Sequence, residues 1–239
     1  MSEKIYPAEC REGAFTHQYC EIAMESYYRA IQAHAHLKRD GYCAIDTWDI
    51  YGNMNKGIIS TVVFSAMAIE SFLNDYAAAC LGDNEYYQNF DRLSAIGKFQ
   101  LIAKFIMRVE IDKSKSYYSL LKAVFSNRDK LVHNKSKKSA FQGYTKEELD
   151  DIERSLEMSG YEPQEPCYDV KEIDKDMRMG LDALRAMREM VSFFDAHDES
   201  VCALFRFFGS TLEFYVTEPY RKELFSLLKI PIEKEKGGA

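Results

Sequence analysis

Apolar residues recur along most of the chain at intervals of three and four positions, the spacing that one face of an α-helix requires. No internal repeat or low-complexity tract interrupts the pattern, and glycine and proline are few, with 12 and 5 residues. We therefore predict an all-α domain, an antiparallel helical bundle of four to five long helices. The predicted long helices span about residues 14–38, 53–81 and 91–108, a segment from 116 onward, and 170–197.

Local signals indicate where helices begin and end. Asn53 or Asn55 is the expected N-cap of the second long helix. Thr145 followed by Glu148 forms a capping box, which predicts a short extra helix. Two prolines make residues 159–169 a loop.

The last part of the chain has a less regular pattern. Residues 211–216 are compatible with a short strand, and Pro219 is typical of a helix start. We predict two units, a helical bundle over residues 1–199 and a small C-terminal appendage over residues 200–239 that is mostly helical with a frayed tail.

The composition, with 46% hydrophobic and 29% charged residues, is that of a soluble globular protein. The six cysteines are scattered without a C-x-x-C pair, which favours reduced thiols and no metal site. Residues 58–81 are long and apolar enough to cross a bilayer, but Glu70, Asn74 and Asp75 would be costly in lipid. Because the first residues also lack an apolar leader, we expect a cytoplasmic protein without membrane association.

Positive charge is concentrated in one segment of an acidic chain. The formal net charge is −7, yet residues 113–138 hold eight lysines and arginines against one acid, Asp129. That segment therefore carries +7, and the remainder of the chain carries −14. A basic patch of this density is typical of a surface that contacts nucleic acid. Tyr117 and Tyr118 lie beside it and either pack helices or stack bases.

Two charged residues interrupt apolar helical stripes. Arg128 follows Leu121, Val124 and Phe125 on the stripe that continues to Leu131 and Val132. Glu70 stands at the equivalent place in the second helix, on the stripe formed by Ile59, Val63, Ala66, Leu73 and Ala77. An unpaired charge on a buried face is strongly unfavourable, so we expect Glu70 and Arg128 to meet across the bundle or to line one cleft.

His133 lies four residues after Asp129, on the same helix face, where a carboxylate can orient the imidazole ring. With Arg128, these side chains supply a cation for a phosphate oxygen and a group that moves a proton. Cleavage of RNA without a metal needs both. For Lys135, Lys137 and Lys138 the simpler interpretation is a solvated helix end that meets the C-terminal dipole.

The stretch "RDKLVH" (128–133) resembles the R-x(4–6)-H motif of HEPN domains. The segment "SAMAIESFLNDYA" (65–77) is similar to the acid-containing helix that many of these proteins place upstream. The resemblance covers about residues 12–197 and implies a bundle that dimerises, so that two motifs line one cleft. Active members are metal-independent endoribonucleases of toxin–antitoxin systems, antiviral defence and RNA processing. Residues 139–168 and those after 200 have no counterpart in the small toxin members.

The resemblance also implies roles for individual residues. Arg128 would bind the scissile phosphate, and His133 would act in acid–base catalysis or phosphate positioning, with Asp129 in the polar position after the arginine. Supporting residues would be Asn134, Asn127 and the upstream acid Glu70. Because the family includes proteins without cleavage activity, the alternative is a non-catalytic module that binds RNA, a nucleotide or a protein partner such as an antitoxin. No cofactor and no metal are expected, and the residues expected to contact RNA are Lys130, Lys135, Lys137 and Lys138.

Overall fold

Every regular element in the computed structural model is helical within the residues it describes, and no strand occurs among them, so the predicted all-α class is confirmed. The described residues are 15–40, 47–133, 151, 154, 169–198, 202–209 and 216–232. The helices are α1 (Thr16–Asp40), α2 (Thr47–Leu81), α3 (Asp83–Asn89), α4 (Ala95–Leu101) with the π-helical segment Ile102–Met107, α5 (Ser116–Val132), α6 (Val170–His197), α7 (Ala203–Phe208) and α8 (Pro219–Leu228).

Some boundaries differ from those that the apolar spacing predicts. The expected N-cap at Asn53 or Asn55 is wrong, because α2 already begins at Thr47. Met54 is buried and Ile50 partly buried, so the apolar face continues upstream of the asparagines. The capping box at 145–148 and most of the possible strand at 211–216 lie outside the described residues.

The third predicted helix is shorter and divided. It begins at Ala95, where the Ser94 hydroxyl accepts a hydrogen bond from the Gly97 amide and caps the first turn. After Leu101 the backbone passes into the π-helical segment, and it ends at Arg108 with a φ of 58°. The short helix α3 was not predicted, because seven residues are too few for a clear 3.6-residue period.

Helix α1 lies antiparallel to α2. The hydroxyl of Thr16 donates to that of Ser71 at 3.4 Å, whereas the Thr61 hydroxyl donates to the carbonyl of Ala23, further along α1, at 3.3 Å. The backbones approach closely at Gly57, where a Cβ atom would lie 2.7 Å from the Ser26 carbonyl oxygen. Glycine is needed there because any side chain would collide with the neighbouring backbone.

Helix α6 completes the core and runs parallel to α2. In its first half Gly180 lies beside Ile58, and near its end the Phe194 ring meets Phe72 edge-on with centroids 4.7 Å apart. The Tyr27 hydroxyl of α1 donates to the Met177 carbonyl at 3.1 Å. Helices α1, α2 and α6 therefore surround one apolar core, and α5 packs against α2 and α6.

The residues after 200 pack against this core. The Phe207 ring of α7 lies 5.0 Å from Phe72, and Arg206 forms an ion pair with Asp75 at 2.6 Å. The Tyr220 hydroxyl of α8 donates to Glu21 of α1 at 2.5 Å. The apolar core is thus continuous across the predicted boundary between residues 199 and 200, and the division into two units stays a prediction.

Within the described residues, α2 is the one helix long and apolar enough to span a membrane by length and composition. In its most apolar window, 56% of the residues are buried inside the fold. The core helix of a soluble protein meets the same criterion, which agrees with the interpretation of residues 58–81 as a buried helix.

Candidate functional site

Helix α5 places Arg128 at the edge of its buried face. On the apolar stripe Phe125 is buried, Arg128 is 30% exposed one turn later, and Leu131 packs partly buried against the core. The predicted buried stripe of α5 is wrong at Val132, which is 54% exposed. The predicted stripe of α2 is wrong at Ile59, which is also exposed. The guanidinium carbon lies 5.6 Å from the Phe125 ring centroid, a cation–π contact that holds the side chain against the helix.

The expected meeting of Glu70 and Arg128 is confirmed. Glu70 Oε2 of α2 lies 3.7 Å from Arg128 Nη2, and both side chains are about one third exposed. The other carboxylate oxygen, Oε1, lies 3.8 Å from the ammonium of Lys98 on α4. One carboxylate is therefore shared by two cations from different helices.

Lys98 belongs to this cluster although it is not among the site residues that the sequence predicts. Its side chain is 3% exposed, and its Nζ donates to Asn74 Oδ1 at 2.8 Å and lies 6.0 Å from the Tyr86 ring centroid. Burial raises the pKa of the Tyr86 hydroxyl, and the nearby Asp91 carboxylate raises it further. The signal that would have found Lys98 is the one that identified Arg128, a charge on an apolar stripe.

Asp129 and His133 do not form the predicted pair. Asp129 Oδ1 lies 3.2 Å from Arg128 Nε, so the carboxylate is turned toward the arginine. His133 is the C-cap of α5, and its backbone amide donates to the Asp129 carbonyl at 2.9 Å. The His133 side chain is exposed, and among the described residues no hydrogen bond or ion pair joins its ring to Asp129. The Arg128 side chain competes successfully because it is adjacent and permanently charged.

Arg128 and His133 leave the helix in different directions. Five residues of α-helix turn a side chain by about 140°, so an arginine on the packed face and a histidine five positions later do not converge. The Arg128 side chain accordingly points toward α2, and His133 is exposed at the helix end. One chain supplies both groups at the same end of α5 but not on one face.

The remaining predicted site residues divide into two groups. Asn127 is partly buried and Lys130 is exposed, both on the last two turns of α5. The predicted supporting and RNA-contacting residues Asn134, Lys135, Lys137 and Lys138 lie outside the described residues.

Tyr117 and Tyr118 pack helices. The Tyr117 ring lies 5.1 Å from Phe193 of α6 and 6.2 Å from Phe99 of α4. Tyr118 is buried, and its hydroxyl accepts a hydrogen bond from Gln100 Nε2 at 2.9 Å. These contacts fix the start of α5 and favour the interpretation of both rings as helix-packing residues.

Comparison with protein-family models, curated proteins and solved structures finds no match to this chain.

Proposed function

We propose that this protein is a metal-independent endoribonuclease of the HEPN type. The observation that carries the proposal is the Glu70–Arg128 ion pair, which holds a partly exposed guanidinium on the last turns of α5. The exposed imidazole of His133 stands at the end of the same helix. A fixed cation and a titratable ring at one helix end supply what phosphodiester cleavage requires.

In the proposed reaction the two groups have separate tasks. Arg128 donates hydrogen bonds to a non-bridging phosphate oxygen and stabilises the charge that develops as the 2′-hydroxyl attacks. His133 accepts or returns a proton during that attack, the role that histidine most often takes in general acid–base catalysis. Glu70 holds Arg128 in place, and Asp129 limits how far the guanidinium of Arg128 moves.

We propose that the site is completed by a second copy of the chain. Because Arg128 and His133 diverge by about 140° on α5, a cleft between two copies brings together groups that one copy separates. The proposed protein is a cytoplasmic homodimer with RNA as its substrate. It acts as a toxin or an antiviral defence component, with an antitoxin as a further partner.

The test is cleavage of a labelled single-stranded RNA in the presence of EDTA. We expect the wild type to cleave and His133→Ala and Arg128→Ala to lose at least about 100-fold in rate, the usual contribution of a positioned acid–base group. Lys171→Ala on α6 is the control, since Lys171 is an exposed lysine of another helix. Equal rates for His133→Ala and the wild type, or no cleavage by any form, would contradict the nuclease.

A non-catalytic binding module is the second candidate, and one observation favours it. Asp129 lies against Arg128, so among the described residues no carboxylate pairs with the His133 ring to orient it for general acid–base catalysis. This candidate predicts that the protein binds RNA, a nucleotide or a protein partner, and that His133→Ala leaves the binding unchanged. Binding without cleavage by the wild type would select it over the nuclease.

A further inference from the structure

The solvent-facing side of α5 is a continuous basic stripe that ends at His133. With about 100° of rotation per residue, Lys115, Ser119, Lys122, Ser126, Asp129, Lys130 and His133 fall within one sector of about 100°. All seven are exposed. The stripe alternates lysines with small hydroxyl side chains, and both types bind phosphate oxygens in nucleic-acid complexes. We call these seven residues the α5 stripe.

The dimensions of the α5 stripe suit an extended polyanion. From Lys115 to His133 the helix rises by about 27 Å, and its three lysines are spaced by about 10 to 12 Å. Serines stand between the lysines, so no bulky side chain separates one cation from the next. A linear chain of phosphates could therefore contact successive lysines along one helix.

Three acids lie on or near the α5 stripe. The carboxylate of Asp129 lies 3.2 Å from Arg128 Nε. Asp112, just before α5, accepts hydrogen bonds from the amide and hydroxyl of Ser114, and these bonds hold its pKa below the usual value. Glu189 of α6 accepts the Ser116 hydroxyl at 3.3 Å at the edge of the helix. Hydrogen bonds do not neutralise Asp112 or Glu189, but the α5 stripe itself carries three exposed lysines against Asp129, whose charge faces Arg128, so the stripe is net positive.

We infer that the α5 stripe binds the backbone of single-stranded RNA and guides it toward His133. This inference rests on the proposed nuclease and names the route of its substrate. It assigns RNA contacts to Lys115 and Lys122, upstream of the motif, in addition to the lysines that follow it. Sequence-independent contacts of this kind to the phosphate backbone depend strongly on salt.

The experiment measures binding without cleavage. The probe is a fluorescent single-stranded 2′-O-methyl oligouridylate, which lacks the attacking hydroxyl, and the readout is fluorescence anisotropy at several salt concentrations. Lys115→Gln/Lys122→Gln removes two charges from the α5 stripe, and Lys171→Gln/Lys175→Gln removes two exposed charges from α6. Because the two variants have the same net charge, a difference between them reflects position rather than global attraction.

We expect the α5 variant to bind about 20-fold more weakly at about 0.1 M salt, with a salt slope reduced by about 1.4. The α6 variant should stay within about twofold of the wild type. Equal weakening in both variants, an unchanged salt slope in the α5 variant, or no binding by the wild type would overturn the inference. If the α5 stripe instead binds an acidic protein, RNA binding will not depend on Lys115 and Lys122. That result also overturns the inference.

Cleavage assays separate this inference from the proposed function. If the wild type cleaves RNA while the α5 variant binds and cleaves normally, the route is wrong and the nuclease stands. If binding depends on the α5 stripe but neither the wild type nor any variant cleaves, the nuclease is wrong and the binding surface stands.

Discussion

Glu70 on α2 and Lys98 on α4 place a carboxylate 3.8 Å from an ammonium that is almost completely buried. The second oxygen of the same carboxylate faces Arg128 at 3.7 Å. Glu70 therefore compensates a buried charge and holds a partly exposed one, so its replacement has two separable consequences.

Glu70→Gln should destabilise the protein by about 1–3 kcal/mol, because Lys98 stays buried without its carboxylate. Arg128→Gln should cost less than about 1 kcal/mol, since that pair is partly exposed. Urea denaturation of each variant gives the two free energies of unfolding. In a Lys98→Met background the cost of Glu70→Gln should fall by about 1 kcal/mol or more. Strictly additive costs would show that Lys98 and Glu70 are not coupled.

Gly57→Ala and Gly52→Ala should have opposite effects although both lie in α2. A Cβ at position 57 would lie 2.7 Å from the Ser26 carbonyl oxygen, so α1 and α2 must separate, at a cost of about 1–3 kcal/mol. A Cβ at position 52 would have no atom of the described residues within 4 Å apart from its chain neighbours and its own helix backbone, and alanine should stabilise the helix by about 0.5–1 kcal/mol. Thermal or urea unfolding of both variants measures the difference. Destabilisation by both substitutions to the same extent would contradict the close approach at Gly57.

His34 should make stability depend on pH. Burial lowers the pKa of His34 below the usual value of 6.5, and the nearby Lys38 lowers it further. Asp174 raises this pKa, because its Oδ1 lies 3.7 Å from His34 Nε2. Since the folded-state pKa is the lower one, the unfolded state binds the proton first as pH falls. The free energy of unfolding should therefore decrease below about pH 6.5 and stop decreasing, as far as His34 is concerned, below the folded-state pKa.

The measurement for His34 is urea denaturation at several values between about pH 7.5 and 5. His34→Gln should remove this part of the pH dependence. Asp174→Asn should increase it, because the carboxylate that raises the His34 pKa is lost. A smaller pH dependence in Asp174→Asn than in the wild type would show that burial does not dominate.

Removal of residues 200–239 should abolish cooperative unfolding. Phe72 would lose its ring contact with Phe207, and the buried Asp75 would lose its ion pair with Arg206. We expect the shortened chain to lack a sharp thermal transition by circular dichroism and to bind the dye ANS. Arg206→Met, which keeps the chain length, should cost about 1–3 kcal/mol. A shortened chain that melts sharply near the wild-type temperature would support two separate units.

Helical periodicity predicted the long helices well wherever the apolar stripe was uninterrupted. The bounds of α6, Val170–His197, and the start of α5 at Ser116 agree with the pattern. The pattern failed at the start of α2, where asparagines inside a helix resemble an N-cap, and around α3 and the π-helical segment, where short or irregular turns carry little periodic signal.

The candidate site was predicted in part. A charge on an apolar stripe selected Glu70 and Arg128, and the two side chains do meet. The same criterion applies to Lys98, which was missed because a single lysine in a short helix looks like a surface residue. The predicted Asp129–His133 pair rested on spacing alone, and spacing does not decide which of two neighbours a carboxylate faces.

The sequence by itself determined the helical class and the charges that must find partners, because burying an apolar stripe and leaving an ion unpaired both have large free-energy consequences whatever the fold. Only the tertiary structure decided that one carboxylate serves Lys98 and Arg128 together, that Asp129 faces Arg128, and that His133 stands exposed at the end of α5. The shared carboxylate depends on which helices lie side by side, because residues separated by 28 or 58 positions meet only when the chain packs. The direction of Arg128 toward α2 in turn decides where its neighbour Asp129 finds a cation.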